Sequence, residues 1–276
     1  MGIISRLQHP NIIQFYGVTK SDTKLEDEVA LNEVKYSLVL EYANGGTLES
    51  YLRDNAETFK WENQLRFAKE IADAISWCHN KEIIHGDLHS KNILIHQIQP
   101  NQHAIKLADF GRSFIQGSKE FTKAYGVVPY MDPKIFESQL YNLTKKSDIY
   151  SLGVLLWQLT SCSSPFGFAE IEDDHAKIIS LQLDILKGER ENPVPHTNRK
   201  FVEVFQKCWQ LEPDERSDIH EVISELKSID SVDPENNIVS NNFYSKESEV
   251  TEKLENEDSD LPNCEDCDIH SDRYQL

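Results

Sequence analysis

The chain has few of the features that would place it in a membrane, on nucleic acid or outside the cell. Its 276 residues contain 28 lysines and arginines against 47 aspartates and glutamates, a formal net charge of −19. So acidic a chain lacks the basic face that binds nucleic acid or an anionic membrane. It also has no signal peptide and no long apolar run. We therefore expect a soluble, intracellular protein, cytoplasmic, with no nucleic acid and no membrane among its partners.

The sequence has too few cysteines in suitable places to form a disulfide framework. Three of its five cysteines occur singly within apolar helical patterns: Cys78, Cys162 and Cys208. This placement is typical of buried thiols in a reducing compartment. Cys264 and Cys267 form a CxxC pair, but no second pair of ligands accompanies them. We interpret that pair as two solvated cysteines and not as a zinc site.

Apolar periodicity divides the chain into a small part with strands and a larger helical part. Strand patterns at Ile12–Thr19 and Tyr36–Glu41 follow the end of a helix at residues 3–8. Short β-branched runs at Ile93–Ile95 and Ile105–Leu107 predict a hairpin. The predicted helices are Thr47–Arg53, Trp61–Asn80, Asp148–Thr160 (apolar nearly all round), Ala176–Lys187, Phe201–Trp209 and one that begins at Asp218.

The composition changes near the C-terminus. From Ser228 to Leu276 the sequence has fourteen acidic and three basic residues, and its apolar density falls. A segment with low hydrophobicity and high net charge does not bury enough apolar surface to fold. We predict a disordered acidic tail at residues 231–276.

Two short motifs carry the chemistry of this chain. The first is His85-Gly86-Asp87-Leu88-His89-Ser90-Lys91-Asn92, and the second is Asp109-Phe110-Gly111. Asp87 and Asn92 lie five residues apart on one loop, and Asp109 begins another loop. This pattern is typical of phosphoryl transfer, in which one carboxylate accepts a hydroxyl proton while an amide and a second carboxylate hold magnesium.

These motifs and their order make the sequence resemble the protein kinase superfamily, and within it the tyrosine-kinase-like group, over residues 1–230. The resemblance implies an α+β, protein-kinase-like fold with a complete helical C-lobe and a partial N-lobe. It places an N-lobe remnant at 1–46 (the end of helix C, two strands and the hinge) and the C-lobe at 47–230. It implies Mg²⁺-dependent transfer of the ATP γ-phosphate to protein substrates, so ATP and Mg²⁺ are the expected cofactors.

The same resemblance assigns a role to each candidate residue. Asp87 would accept the proton, Lys91 would neutralise charge on the transferred phosphoryl group, and Asn92 and Asp109 would bind Mg²⁺. The nucleotide-binding residues would be Leu40, Glu41, Ala43, Gly46 and Leu94. The structural support would come from His85, Phe110, Gly111, Asp148 and Arg216.

Basic residues near Asp87 leave the substrate hydroxyl open between serine or threonine and tyrosine. Serine/threonine kinases usually have lysine two residues after the aspartate, where this chain has His89. A basic residue four positions after it, here Lys91, is more typical of tyrosine-specific kinases. We expect serine or threonine in preference to tyrosine.

The sequence departs from the family pattern in two places within the large lobe. Gly86 stands where arginine is usual, and that arginine normally contacts a phosphate on the activation loop, so switching by phosphorylation there is less expected. Asp132-Pro133-Lys134 replaces Ala-Pro-Glu, whose glutamate normally pairs with the arginine that Arg216 resembles. We expect Lys134 to turn outward and Arg216 to take another acid, for which Glu137 is the suggested partner.

A third departure concerns the small lobe. The sequence contains neither the Gly-rich loop nor the Val-Ala-Ile-Lys lysine, and the glutamate that pairs with this lysine would fall immediately before Met1. Three interpretations follow: a fragment of a full kinase, a truncated pseudokinase that binds other proteins, or a chain completed by a partner polypeptide. The intact catalytic residues favour the fragment. We expect a missing segment or a partner to complete the N-lobe, and severely reduced activity of the chain alone.

Overall fold

Strands dominate the first part of the described chain and helices the remainder. The computed structural model describes residues 3–22, 34–100, 102–118, 126–138 and 140–230. The strands are β1 (Phe15–Asp22), β2 (Val34–Leu40), β3 (Ile83–Ile84), β4 (Ile93–Gln99), β5 (Gln102–Leu107) and β6 (Phe114–Ile115). The helices are α1 (Leu48–Asn55), α2 (Trp61–His79), α3 (Lys134–Glu137), α4 (Lys145–Ser161), α5 (His175–Leu186), α6 (Arg199–Cys208) and α7 (Ile219–Ser228). The predicted α+β composition is confirmed, whereas the predicted tail and its CxxC pair lie outside the described residues.

The strands of the described residues form three antiparallel pairs. β1 pairs with β2, β3 with β6, and β4 with β5, which confirms the predicted hairpin. β1 begins at Phe15 and not at Ile12 as predicted. The residues just before it have another partner, because Ile12 bridges Leu107 and the Ile13 N–H donates to the Leu107 carbonyl at 2.9 Å. The chain therefore crosses from β1 to the hairpin within three residues.

The segment at residues 3–8 is shorter and tighter than predicted. Ile3–Arg6 forms a 3₁₀ helix, and the Leu7 N–H donates to the Ile4 carbonyl at 3.2 Å. Pro10 follows closely and disfavours helical geometry in the residue before it. The predicted helix is therefore present in the described residues, but it ends at Arg6 and has 3₁₀ geometry.

Helix α4 is the centre of the helical part. It is buried on nearly every side, as its apolar sequence predicts, and it packs against α2 and α6. Gly153 permits the close approach of α6, since a Cβ atom there would lie 2.9 Å from the Cβ of Cys208. No helix among the described residues combines the length and the apolar character needed to cross a bilayer.

The β1–β2 pair leaves a large apolar surface uncovered by the described residues. Tyr16 and Val18 on β1 and Tyr36 and Leu38 on β2 each have more than half of their surface exposed. Contiguous exposed apolar side chains of this kind mark a surface that another element or a partner covers. These four side chains therefore form an exposed apolar patch on the β1–β2 pair.

Arg216 is fully buried and binds a different acid from the one expected. Its guanidinium makes two parallel hydrogen bonds to Asp132, of 2.8 and 2.9 Å, so the suggested pairing with Glu137 is wrong. Lys134 instead contacts two partly exposed acids, Glu137 at 2.6 Å and Glu212 at 3.0 Å. The carboxylate of Asp132 thus replaces, two positions earlier in the chain, the glutamate that the family pattern has at Lys134.

The buried pair predicts a large difference between two isosteric substitutions. Asp132→Asn leaves the Arg216 charge buried without its counter-charge, which costs about 3–5 kcal/mol when such pairs are broken. Glu137→Gln removes only a surface contact, so the urea midpoint should stay close to that of the wild type. Urea unfolding of both variants measures this difference. Equal midpoints for the two variants would show that the Asp132–Arg216 pair does not stabilise the fold.

Candidate active site

The loop that carries Asp87 is attached to the helical core through one buried carboxylate. Asp148, in the first turn of α4, accepts hydrogen bonds from the backbone N–H groups of His85 (2.9 Å) and Gly86 (3.0 Å). Its Oδ2 also lies 2.9 Å from Nε2 of His79, at the end of α2. Each carboxylate oxygen of Asp148 therefore accepts one backbone N–H of the loop. Through Asp148 and His79, α4 and α2 together fix the start of the loop.

His85 connects this loop to the segment that precedes Asp109. Its ring is fully buried, and burial holds its pKa below the usual value, so the imidazole is neutral. Nε2 lies 3.0 Å from the carbonyl of Ala108, and Nδ1 lies 3.3 Å from the backbone N–H of Asp87. A neutral ring satisfies both contacts when Nε2–H donates and Nδ1 accepts. The His85 and Phe110 rings pack at a centroid distance of 4.9 Å.

Asp87 and Asn92 are in direct contact. The Asn92 amide donates to the Asp87 carbonyl at 2.9 Å and lies 3.5 Å from its carboxylate. Burial alone would raise the pKa of Asp87, but the contact with His89 and the charge of Arg112 outweigh it, so the pKa lies below its usual value. Asp87 is therefore ionised at neutral pH and able to accept a proton.

Asp109 places a carboxylate at the surface of the same region. Its backbone is left-handed (φ 57°, ψ 73°), a conformation that aspartate tolerates better than most residues, and its side chain accepts the Gly111 N–H at 3.1 Å. The neighbouring Ala108 donates its N–H to the Asn92 carbonyl at 2.9 Å. This backbone hydrogen bond holds the loop that carries Asn92 next to Ala108, the residue before Asp109.

Two hard oxygen donors suit magnesium better than a transition metal. Asn92 uses its amide nitrogen for Asp87, which leaves the amide oxygen as a ligand, and Asp109 offers an exposed carboxylate. The described part of the chain contains no group of three or more histidine, cysteine or acidic side chains that would hold a metal alone. A magnesium ion held by these two residues would take its other ligands from phosphates and water.

The predicted hinge lies beside the β4–β5 hairpin. The backbones of Gly45 and Gly46 exchange hydrogen bonds with Ile95 at 2.8 Å, and Leu94 is the half-exposed residue between two buried ones on β4. The Glu41 side chain is not free for a ligand, because it binds Lys106 at 2.8 Å and accepts the Gln14 N–H. Burial opposes the ionisation of Glu41, but these two contacts hold its pKa below the usual value.

The remaining hinge predictions concern surface positions at the end of β2. Leu40 and Gly46 are exposed, and Ala43 is half-buried. Gly46 has a positive φ of 75°, which glycine adopts without strain. The roles of Leu40, Ala43, Gly46 and Leu94 in nucleotide binding stay predictions.

Lys91 does not face Asp87 in this arrangement. Its ammonium lies 3.3 Å from the carboxylate of Glu172 and 4.0 Å from that of Glu49. Both contacts are to acids on other elements, α1 and the segment that follows the 3₁₀ helix Pro165–Glu170. The predicted neutralisation of phosphoryl charge by Lys91 requires it to leave these partners.

Sequence reasoning missed three residues of the site. His79 lies within the predicted helix Trp61–Asn80, and its contact with Asp148 joins residues 69 positions apart, which no local pattern reveals. Lys106 lies within the predicted hairpin, and the sequence does not show its contact with Glu41. Arg112 directly follows Gly111, and its Nη1 lies 3.7 Å from Oδ1 of Asp87. A basic residue next to a metal-binding motif is the one local signal that would have drawn attention to Arg112.

Comparison with known proteins supports the resemblance. Residues 1–226 match the family described as "Protein kinase domain". The chain is 29% identical over 246 residues to "Dual specificity protein kinase splA" of Dictyostelium discoideum, covering 83% of this chain and 10% of that protein. It is 30% identical over 229 residues to "RGS domain-containing serine/threonine-protein kinase A" of the same organism, covering 83% and 18%.

A plant relative gives a similar result with a larger share of its own length. The chain is 27% identical over 234 residues to "Serine/threonine/tyrosine-protein kinase HT1" of Arabidopsis thaliana, covering 83% of this chain and 54% of that protein. The chain thus spans between a tenth and about half of the length of these relatives. These matches confirm the predicted resemblance and the kinase-like fold.

The contacts of Asp148 predict a stability loss on removing its charge. Asp148→Asn replaces one acceptor oxygen by an NH₂ group that cannot accept from His85 or Gly86, and a lost buried partner costs about 1–3 kcal/mol. Asp173→Asn, at an exposed position, is the matched control. The free energy of unfolding of both variants measures the difference. A variant at Asp148 as stable as the control would contradict the anchoring role.

Proposed function

The chain belongs to the protein kinase family, and we propose that it transfers the γ-phosphoryl group of ATP to a hydroxyl group of a protein, serine or threonine in preference to tyrosine. The contact of Asp87 with Asn92, beside the segment that leads into Asp109, carries this proposal. A base and two oxygen ligands for magnesium are the parts that phosphoryl transfer needs on this lobe.

Asp87 is proposed as the group that orients the substrate hydroxyl and accepts its proton. Its ionised carboxylate and its fixed backbone, held by Asn92 and by Nδ1 of His85, support this role. A general base must lie within hydrogen-bond reach of the proton that it abstracts, which a fixed loop favours. The serine/threonine and dual-specificity names of the relatives support the choice of hydroxyl.

Asn92 and Asp109 are proposed to hold Mg²⁺, which would neutralise charge on the ATP phosphates. The adenine ring is proposed to lie between the hinge, Leu40 to Gly46, and Leu94, with backbone groups of Glu41 and Ala43 as its hydrogen-bond partners. The direction of Leu94 on β4 supports this, because the residues on either side of it point into the core.

The exposed apolar face of β1 and β2 is proposed to be covered when the enzyme is active. Phosphoryl transfer in this family also requires a lysine–glutamate pair from the small lobe. The 276 residues do not contain the lysine motif, so we expect very low turnover from them alone. A further segment or a partner polypeptide that supplies this part would also cover Tyr16, Val18, Tyr36 and Leu38.

The same exposed face favours a second candidate function, a pseudokinase-like module that binds other proteins. An apolar surface of this kind is a common property of interaction sites. This candidate predicts that the chain binds a partner through β1 and β2 with no requirement for Asp87 or Asp109.

Nucleotide binding is the first test of the proposal. A ligand that binds only the folded state raises the melting temperature, so MgATP should stabilise the wild type and not Asp109→Ala. Asp173→Ala, which removes an exposed carboxylate from the surface, should respond as the wild type does. The same melting temperature with and without MgATP in all three proteins would favour the interaction module.

Transfer itself is tested by the incorporation of labelled γ-phosphate into a mixed protein substrate. Asp87→Asn keeps the shape of the side chain and removes the base, so any slow transfer by the wild type should fall by about 10²-fold or more. Robust turnover by the 276-residue chain would refute the expectation of very low activity. Transfer that persists in Asp87→Asn would refute the role of Asp87.

A further inference from the structure

Among the described residues, Arg112 is the cation closest to the proposed catalytic base. Among the ion pairs of the described residues, Asp87 has two basic neighbours, Arg112 at 3.7 Å and the imidazole of His89 at 3.8 Å. Lys91, which the sequence pattern assigns to phosphoryl charge, pairs with Glu172 and Glu49 instead. The guanidinium of Arg112 therefore lies beside the carboxylate that is proposed as the base.

Distances set by the chemistry bring Arg112 within reach of the phosphoryl group. A substrate hydroxyl lies about 2.6–3.2 Å from its base, and a nucleophile in position to react lies about 3–3.5 Å from the atom that it attacks. The phosphorus would thus be separated from the Asp87 carboxylate only by the substrate oxygen. A guanidinium 3.7 Å from the same carboxylate needs little movement to contact phosphoryl oxygens.

The backbone geometry explains how Arg112 comes so close. Gly86 has a positive φ of 76°, and a Cβ atom at this position would lie 3.3 Å from the carbonyl oxygen of Arg112 and 3.6 Å from the ring of Phe114. The Ser113 hydroxyl donates to the His85 carbonyl at 3.0 Å beside this contact. The glycine that replaces the usual arginine therefore lets the backbone of Arg112 pack directly on the catalytic loop.

We propose that Arg112 binds the equatorial oxygens of the transferred phosphoryl group and is a catalytic residue of this chain. The proposal rests on the proposed kinase function. In the step, the substrate oxygen loses its proton to Asp87 and forms a bond to the γ-phosphorus. The bond from this phosphorus to the bridging oxygen breaks, and ADP leaves with its electron pair.

The chemistry of the side chain fits this role. A guanidinium has five N–H donors in a planar fork that matches phosphate oxygens, so contacts with Asp87 and with a phosphoryl group are compatible. Charge on the equatorial oxygens is what such a cation stabilises in phosphoryl transfer. Arg112 would then supply the positive charge that serine/threonine kinases usually take from a lysine two residues after the aspartate, where this chain has His89.

The test compares the binding of MgADP with and without aluminium fluoride, which mimics the transferring phosphoryl group, by calorimetry on the full 276-residue chain. The wild type should bind MgADP more tightly with fluoride. Arg112→Met should lose about tenfold or more of that gain, as expected for a contact specific to the transition state. Its affinity for MgADP alone and its melting temperature should stay near those of the wild type.

Three further variants separate charge from structure. Arg112→Lys should keep part of the gain, and His89→Lys in the Arg112→Met background should restore part of it, because each returns a cation to the same place. A structural role of Arg112 would give no rescue from position 89. Arg199→Met, which breaks an exposed pair with Glu203 on α6, is the matched control and should behave as the wild type.

Each remaining outcome overturns the proposal in a distinguishable way. A fluoride gain that survives Arg112→Met, or that is lost instead in Lys91→Met, assigns the charge to another residue and leaves the kinase function intact. A larger gain in Arg112→Met would show that Arg112 blocks the site. If the wild type binds MgADP without any fluoride gain, the chain has no site for the transferring phosphoryl group, and this inference is wrong. If the wild type does not bind MgADP, the proposed nucleotide site of this chain and this inference are both wrong.

Discussion

The arrangement of the site depends on the buried carboxylate of Asp148. It accepts the backbone N–H groups of His85 and Gly86 and contacts the ring of His79. One carboxylate thus joins α2, α4 and the loop that carries Asp87. A buried carboxylate is costly unless hydrogen bonds satisfy it. Because three hydrogen-bond donors converge on Asp148, the start of this loop has one favourable position. Asp87 comes directly after Gly86, so the same contacts also position Asp87.

Two further buried contacts fix segments next to this loop, one made by His85 and the other by the Asp132–Arg216 pair. The neutral ring of His85 donates a hydrogen bond to the carbonyl of Ala108, the residue before Asp109, and so ties the two loops together. The Asp132–Arg216 pair fixes the segment before α3 to the end of the helical part in the same way, with two parallel hydrogen bonds in a site without solvent. The loop that carries Asp87 and its surroundings are thus held by buried polar groups.

The sequence predicted those parts of the fold that local patterns control. The apolar run at Asp148–Thr160 and the helix start at Asp218 both predict helices that the structure contains. Contacts between distant segments were not predictable, since Arg216 binds Asp132 across 84 positions and the competing Glu137 is taken by Lys134. The motifs likewise predict that Asp87 belongs to the site, but they carry no information on the charge of Arg112 beside it.

The central claim is that Asp148 holds the loop that carries Asp87 in place before any ligand binds. Amide hydrogen exchange in peptides that cover residues 81–92, measured without nucleotide, tests this claim most directly. The account predicts that the His85 and Gly86 amides exchange slowly in the wild type and quickly in Asp148→Asn. Fast exchange of both amides in the wild type, with protection only after MgATP is added, would contradict it.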